Sequence, residues 1–243
     1  MNYDSLLELV KKRRSIRTFK PNPIPDEYVD KIIEVARWAP SGANTQSWEF
    51  IVVKKRELKD SIVKLFEDYG QRAYRMELVR EPEWRFPGYD KPPQGPPGFA
   101  NAPVFIIVCG DPRTKAAYPM GVLFDYPELT FYSSLANAFL YMHLAATTLG
   151  LGSQWASATA NPYMQCLIKQ LLQIPQELEI YDMMAVGYPA SEPKPRMVRT
   201  REEMVHYDYY DKAKFKTQEG VKDYIKATKG ILSDFRDSLS KTV

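Results

Sequence analysis

The residues best equipped for chemistry in this chain are three arginines and a serine in the stretch RRSIRTF, residues 13–19. A guanidinium presents a planar fork of donors suited to phosphate or carboxylate, and a serine hydroxyl donates to the same kind of anion. Arg13, Arg14, Ser15 and Arg17 are interleaved with Ile16 and Phe19, which favour burial. A solvated charge run is the plainer reading, but it has no use for the two apolar residues. They would pull the arginines to the rim of a pocket, where an anion offsets their charge. A second group lies in APSGANTQSWEFIVV, residues 39–53. A turn between helix and strand needs only residues such as Pro40, Ser41 and Gly42. The amides of Asn44 and Gln46 exceed that need and suit a heterocycle with both C=O and N–H edges. A third, GLGSQWASA (150–158), places small residues around Trp155, Ala156, Ser157 and Ala158, where backbone can approach a ligand. It fits a plain helix cap at Gly150 and a turn equally well. A fourth run, residues 187–208, holds Arg196, Arg199 and Arg201. It reads by default as a solvated loop, yet two arginine clusters near the ends of one domain can converge on one phosphate.

Other catalytic signatures are missing from the sequence. No G-x-G-x-x-G opens a helix after a strand, and there is neither a Walker sequence nor a nucleophile elbow. Two histidines cannot build a His-rich metal site. His143, on an apolar helix, reads as a hydrogen-bonded core residue, and His206 as a surface or interface residue. Chemistry on such a chain points to a bound cofactor. The 243 residues, 44% hydrophobic and 26% charged, suffice for one sizeable core or at most two small ones. The net charge of +3 is spread along the chain, which argues against a nucleic-acid partner. Cys109 and Cys166 form no C-x-x-C pair, and the polar N-terminus has no apolar signal region, so a reduced cytoplasmic protein is expected. The longest apolar stretch, around 135–151, contains His143 and small residues and reads as a buried soluble helix, not a membrane span.

These groups need a scaffold, and the periodicities supply one. Asp4 is placed to cap a short first helix carrying Leu6, Leu7 and Val10 on one face. Pro25-Asp26-Glu27 opens a second helix that Pro40 should end at Ala39. WEFIVV (48–53), VFIIVCG (104–110) and YDMMAVGYP (181–189) read as strands, the last two as buried ones. Leu58, Ile62, Leu65 and Tyr69 share a helical period, and residues 128–149 predict a helix with little polar face, running through the core. Between them, residues 80–103 are rich in proline, glycine and aromatics and predict a loop or lid. Val221, Tyr224, Ile225, Thr228, Leu232, Phe235 and Leu239 give residues 219–240 one apolar helical stripe, to be buried on the chain's own body or on a second subunit. Strands alternating with helices predict an α/β or α+β domain.

Taken in order, RRSIRTF, PIPDEYVDKIIEVARWAPSGANTQSWEFIVV, TTLGLGSQW and VGYPASEPKP resemble the nitroreductase family of flavoproteins over about residues 10–208. The resemblance implies an α+β fold with a central, mostly antiparallel sheet flanked by helices. It also implies an intertwined homodimer with FMN at the subunit interface and NADPH or NADH as reductant in ping-pong turnover. The domain would span 1–208, with 70–101 as a lid or loop insertion, and 209–243 would be an extension packing on the partner. Residues matching Arg13, Arg14, Ser15 and Arg17 bind the flavin from one subunit: Arg13 the phosphate, Arg17 the N1/C2-carbonyl edge. Those matching Pro40, Ser41, Gly42, Asn44 and Gln46 line it from the other. The stretch Trp155, Ala156, Ser157 and Ala158 matches the backbone facing N5. Among the later basic residues Arg199 is preferred over Arg196 and Arg201 for the phosphate. Two departures stand out: Ser47 where members often have proline, and RMVRTRE in place of a Lys/Arg-Arg-Pro run. The implied activity is reduction of nitroaromatics, quinones or similar conjugated acceptors. The alternatives are a specialised flavin enzyme, such as a reductive halotyrosine dehalogenase, and a non-enzymatic flavin binder. For the dehalogenase, Glu67, Tyr69, Tyr74, Glu77 and Lys91 are the raw material for a substrate clamp.

Overall fold

The computed structural model describes residues 2–89, 91–193, 196 and 198–240, with side chains through Lys229. It divides into two compact units, Met1–Tyr69 with Gly95–Pro193, and Gly70–Gln94 with Lys194–Val243.

The first unit opens with α1 (Tyr3–Lys12) and α2 (Asp26–Arg37). Asn2, not Asp4, is the N-cap of α1: its side chain accepts from Ser5 N, while Asp4 sits in the first turn. Helix α2 stops at Arg37, two residues before the expected Ala39, because Trp38 and Ala39 close a tighter turn onto Val35 and Ala36. Strand β1 (Trp48–Val53) follows, then α3 (Arg56–Glu77), β2 (Val104–Gly110), α4 (Met120–Asp125) and α5 (Pro127–Thr148). Strand β3 (Gly152–Ala156), α6 (Pro162–Leu172) and β4 (Glu179–Gly187) complete the unit. The sheet order is β1-β2-β4-β3 and every pair is antiparallel, as expected for the mostly antiparallel α+β class.

Strand β2 lies between two neighbours and is buried along all seven residues, which explains its unbroken apolar run. Its side chains alternate between two cores. Val104, Ile106 and Val108 pack with Ile32 and Ala36 of α2 and with Phe131, Leu135 and Phe139 of α5. Phe105, Ile107 and Cys109 pack with Ile62 and Val63 of α3 and with Met164 and Ile168 of α6. Helix α5 carries ten buried residues and ends where Gly150 takes φ +72°, a left-handed value that glycine adopts without strain. Strand β3 was not evident from its sequence, GSQWA, which reads as a turn. Its pairing with β4 makes it the edge of the sheet.

In the second unit the end of α3 and the proline-rich stretch fold on each other. Glu77 accepts from Phe86 N (2.8 Å) and from Arg80 (3.1 Å), and Arg85 donates to Leu78 O and Arg80 O. After the short α7 (Arg201–Met204) comes α8 (Gln218–Ser240). Lys229 Nζ donates to Trp84 O (2.6 Å) and lies 5.5 Å from the centre of that indole, while Lys226 is 3.9 Å from Glu83. Lys226 and Lys229 of α8 thus meet the insertion, while Val221 and Tyr224 of the expected stripe are exposed. Leu232, Phe235 and Leu239 lie outside the residues whose side chains are described. Among the described residues no helix is long and apolar enough to cross a membrane.

Candidate functional site

The arginine segment leaves α1 in extended form and attaches to the free edge of β3. Ser15 bridges Ser153 in parallel register, and Ile16 N donates to Ser153 O (2.9 Å). Beyond it Ala190 N donates to Thr18 O, Lys20 N to Tyr188 O, and Phe19 bridges Pro189. Ile16 and Phe19 are buried and anchor the segment, as their apolar character required, while Ser15 and Arg17 stay exposed and Arg13 and Arg14 half-buried. Two glycines permit this seat. A Cβ on Gly152 would lie 2.6–2.9 Å from the Ile16 side chain, and one on Gly98 would lie 2.4 Å from Arg17 O.

Loop 39–47 is held on the first half of α5. Gly42 N donates to Ser134 Oγ (3.0 Å), Asn137 Nδ2 donates to Pro40 O (3.1 Å), and a Cβ on Gly42 would overlap Thr130. Ser41 Oγ accepts from Gln46 N (3.0 Å), cinching the loop. Ala43, Asn44 and Gln46 all have positive φ (50°, 53° and 45°). Three non-glycine residues in that region within four positions form a strained turn of the kind found at ligand sites. The turn leaves Asn44 and Gln46 exposed, with Gln46 Nε2 3.4 Å from Asn44 O. The Arg13–Phe19 segment contacts the sheet beside the second half of α5. From Ser134 to His143 is nine residues, about 13 Å along the helix. One chain therefore presents two separate walls.

Trp155, Ala156, Ser157 and Ala158 fall on β3 and the turn Ser157–Ala160 that follows. Ser153 and Trp155 face α5: Ser153 Oγ lies 2.6 Å from His143 Nδ1, and Trp155 packs on Phe139 and His143 at centroid distances of 4.4 and 5.9 Å. His143 is thus the hydrogen-bonded core residue its position suggested. Burial, with the Arg13 charge second, lowers its pKa from 6.5 to about 4. The unfolded chain therefore binds this proton more readily than the folded one. Stability from this group is complete above pH 6.5 and is lost as the pH falls from 6.5 towards 4. Urea denaturation across that window should show a loss of about 3 kcal/mol that His143→Gln removes.

Asp182, on β4, was not singled out by sequence. It is buried, accepts from Trp155 Nε1 and, at 2.9 Å, from Thr159 Oγ1. Burial raises its pKa, and the two hydrogen bonds oppose the rise. Its partners lie 27 and 23 residues away, so no local pattern could have revealed them.

Arg199 belongs to the second unit. Its Nη2 donates to Glu203 O (2.7 Å) and its Nε lies 3.8 Å from the Glu203 carboxylate, beside a capping box formed by Thr200 and Glu203. Arg201 donates to Tyr207 Oη (2.9 Å), and Arg196 is exposed. Arg199 and Arg201 are thus partly committed to local structure, and His206 Nδ1 accepts from Asp211 N.

Comparison with known proteins gives this arrangement a family. An iodotyrosine deiodinase of Thermotoga neapolitana is 30% identical over 209 residues, covering 84% of this chain and 98% of that protein. A protein of Archaeoglobus fulgidus, provisionally named an NADH dehydrogenase/NAD(P)H nitroreductase, is 29% identical over 189 residues, 78% of this chain and 88% of the relative. A crystal structure of oxidised iodotyrosine deiodinase bound to FMN and 3-iodo-L-tyrosine superposes with a TM-score of 0.64 at 30% identity, covering 84% of this chain and all of that one. The family model described as the nitroreductase family matches residues 10–188, from just before the arginine segment to the end of β4, and the chain belongs to that family.

Proposed function

We propose that this chain is an FMN-dependent oxidoreductase that acts as a homodimer, taking electrons from NADH or NADPH and reducing nitroaromatics, quinones or similar conjugated acceptors. The observation that carries the reading is the donor set. Three arginines and a serine lie on a segment fixed to the edge of β3, and Asn44 and Gln46 are exposed on a strained turn held on α5. That set fits a phosphate together with the carbonyl and N–H edges of a flavin ring. Arg13, Arg14 and Ser15 would hold the phosphate, Arg17 the N1/C2-carbonyl edge, and the backbone of residues 155–158 the region of N5. Pro40, Ser41, Gly42, Asn44 and Gln46 would close the site from the second subunit, and Arg199 is the proposed further ligand of the phosphate. FMN, when bound, supplies the hydride chemistry. The protein's part is orientation, exclusion of water and electrostatics.

The dimer is supported by the distance between the two walls in one chain and by an exposed apolar surface. Met120, Phe124, Leu129, Tyr132 and Leu140 of α4 and α5 are all exposed. Large apolar side chains exposed together on neighbouring helices suit an interface. Two copies crossing there in antiparallel fashion would bring the loop of one to the arginine wall of the other.

The deiodinase relatives favour a second reading, reductive dehalogenation of a halotyrosine. Of the candidate clamp residues Glu67, Tyr69, Tyr74, Glu77 and Lys91, Glu77 is already engaged by Phe86 and Arg80. An anaerobic acceptor screen decides between the readings. The FMN-loaded protein, bleached with NADPH or NADH, is mixed with a nitroaromatic, a quinone and 3-iodotyrosine. Rapid reoxidation by the first two supports the main proposal. Reoxidation by iodotyrosine with iodide release, and not by the others, supports the second. Failure of both nucleotides to bleach the flavin contradicts the assigned reductant.

A further inference from the structure

Strand β4 is apolar from Met183 to Val186, yet Asp182 beside it is only 5% exposed. A buried carboxylate is costly unless its oxygens are satisfied. Both oxygens of Asp182 are engaged, and by the same short segment: Oδ2 accepts from Trp155 Nε1 and Oδ1 from Thr159 Oγ1. A β-bulge lies at this point. The β2–β4 register slips between the pairs Val108–Asp182 and Cys109–Ile180, leaving Tyr181 as the extra residue. Bulges re-aim side chains. Here two consecutive residues both reach Trp155, Tyr181 by an edge contact at 6.0 Å and Asp182 by its hydrogen bond. Phe139 and His143 pack against the same indole, which nonetheless remains 38% exposed.

We propose that Asp182 is a positioning residue, which ties Trp155 to Thr159 through one carboxylate and so fixes the course of residues 155–159 and the orientation of the Trp155 ring as an aromatic wall of the site. The proposal rests on the reading of that segment as part of a flavin site. The single Thr159 hydroxyl proton is shared between Asp182 Oδ1 at 2.9 Å and Ala156 O at 3.2 Å, the carboxylate being the nearer acceptor. The turn that carries Ser157 and Ala158 is thereby flanked by the two residues that Asp182 holds. An amide at position 182 can keep the tryptophan bond through its oxygen, with the Thr159 hydroxyl rotating to accept from the NH2. An isopropyl group keeps the shape and neither bond.

The test uses the full chain and three variants, Asp182→Asn, Asp182→Val and Trp155→Phe. The indole N–H resonance absent from Trp155→Phe identifies Trp155 in the proton–nitrogen NMR spectrum, and FMN affinity is read by quenching of flavin fluorescence. The expected result for Asp182→Val is an upfield shift of that resonance and a rise in the FMN dissociation constant of about tenfold, the size of one charge-assisted hydrogen bond. The melting temperature should change little, since losing the two hydrogen bonds is offset by removing the burial cost of the carboxylate. Asp182→Asn should restore the affinity to within about threefold of wild type. An unmoved resonance, or an FMN affinity unchanged in Asp182→Val, overturns the proposal. So does a loss of affinity that tracks a fall in melting temperature and that Asp182→Asn fails to restore. Absence of FMN binding by the wild-type chain instead overturns the flavin reading on which the proposal stands, and the resonance shift separates that outcome from a failure of the hydrogen bond itself.

Discussion

Gly98→Ala is expected to unseat the arginine segment, lowering folding stability by about 1–3 kcal/mol and weakening FMN binding with it. The added methyl carbon would lie 2.4 Å from the carbonyl oxygen of Arg17. A side-chain atom at that distance can rotate away, but a backbone oxygen cannot move without its peptide unit. Either the turn Gly98–Asn101 lifts or the segment around Arg17 shifts. The turn is a poor candidate, because Phe99 is 3% exposed and packs edge-on against Phe66 and Phe105 at 4.9 and 5.6 Å. The displacement should therefore fall on residues 16–18, whose hold on the sheet depends on Ile16 N and Thr18 O bonds. Gly70→Ala is the matched control. It sits inside α3, where the new carbon would lie 3.5 Å from the Pro93 side chain, an ordinary contact, so the helix preference for alanine should leave stability equal or up to about 1 kcal/mol higher. Urea denaturation and flavin titration of both variants check the pair.

Arg13→Ala and Arg17→Ala should separate cofactor holding from cofactor tuning. Loss of a guanidinium bonded to phosphate is expected to raise the FMN dissociation constant about 10- to 100-fold in Arg13→Ala, with little change in the potential of the flavin that binds. Arg17→Ala should act in the opposite proportion. A fixed positive charge beside N1 favours the electron-rich form, so its removal should lower the midpoint potential by about 30 mV or more, a tenfold change in a two-electron equilibrium. Reduction by NADPH or NADH should slow accordingly. Spectroelectrochemistry reads the first quantity and stopped-flow bleaching the second; an unchanged potential in Arg17→Ala refutes its placement at the N1 edge. Arg13→Ala has a second signature that needs no flavin. Because the Arg13 charge helps to hold His143 neutral, its removal should raise the His143 pKa and narrow the pH window of lost stability.

The parts of this architecture visible in the sequence are those decided by local burial. WEFIVV and VFIIVCG appear as strands at their expected positions, and the central helix begins and ends one residue from expectation. The seating of the arginine segment was legible for the same reason: Ile16 and Phe19 among charges favoured a segment pinned to a core over a solvated run, and both are buried. Strand β3 was hidden, because Gly152, Ser153 and Gln154 have no strand preference and adopt one only through β4 and Ser15. In the turn over α5, Asn44 tolerates a left-handed backbone and could be suspected. Ala43 and Gln46 do not announce theirs, which is imposed by Ser41, Ser134 and Asn137. Asp182 and Trp155 meet across the sheet, a pairing that depends on register. The proline-rich insertion read as a loop because its partner, Lys229, lies 145 residues further along the chain.

The most direct test of the account is titration of FMN into the purified, flavin-stripped full chain, followed by anaerobic addition of NADPH or NADH. The account predicts saturable quenching of flavin fluorescence with one FMN per chain, binding that weakens in Arg13→Ala, and bleaching of the bound flavin by the nucleotide. A wild-type chain that is folded by circular dichroism yet neither retains nor rebinds FMN would contradict it.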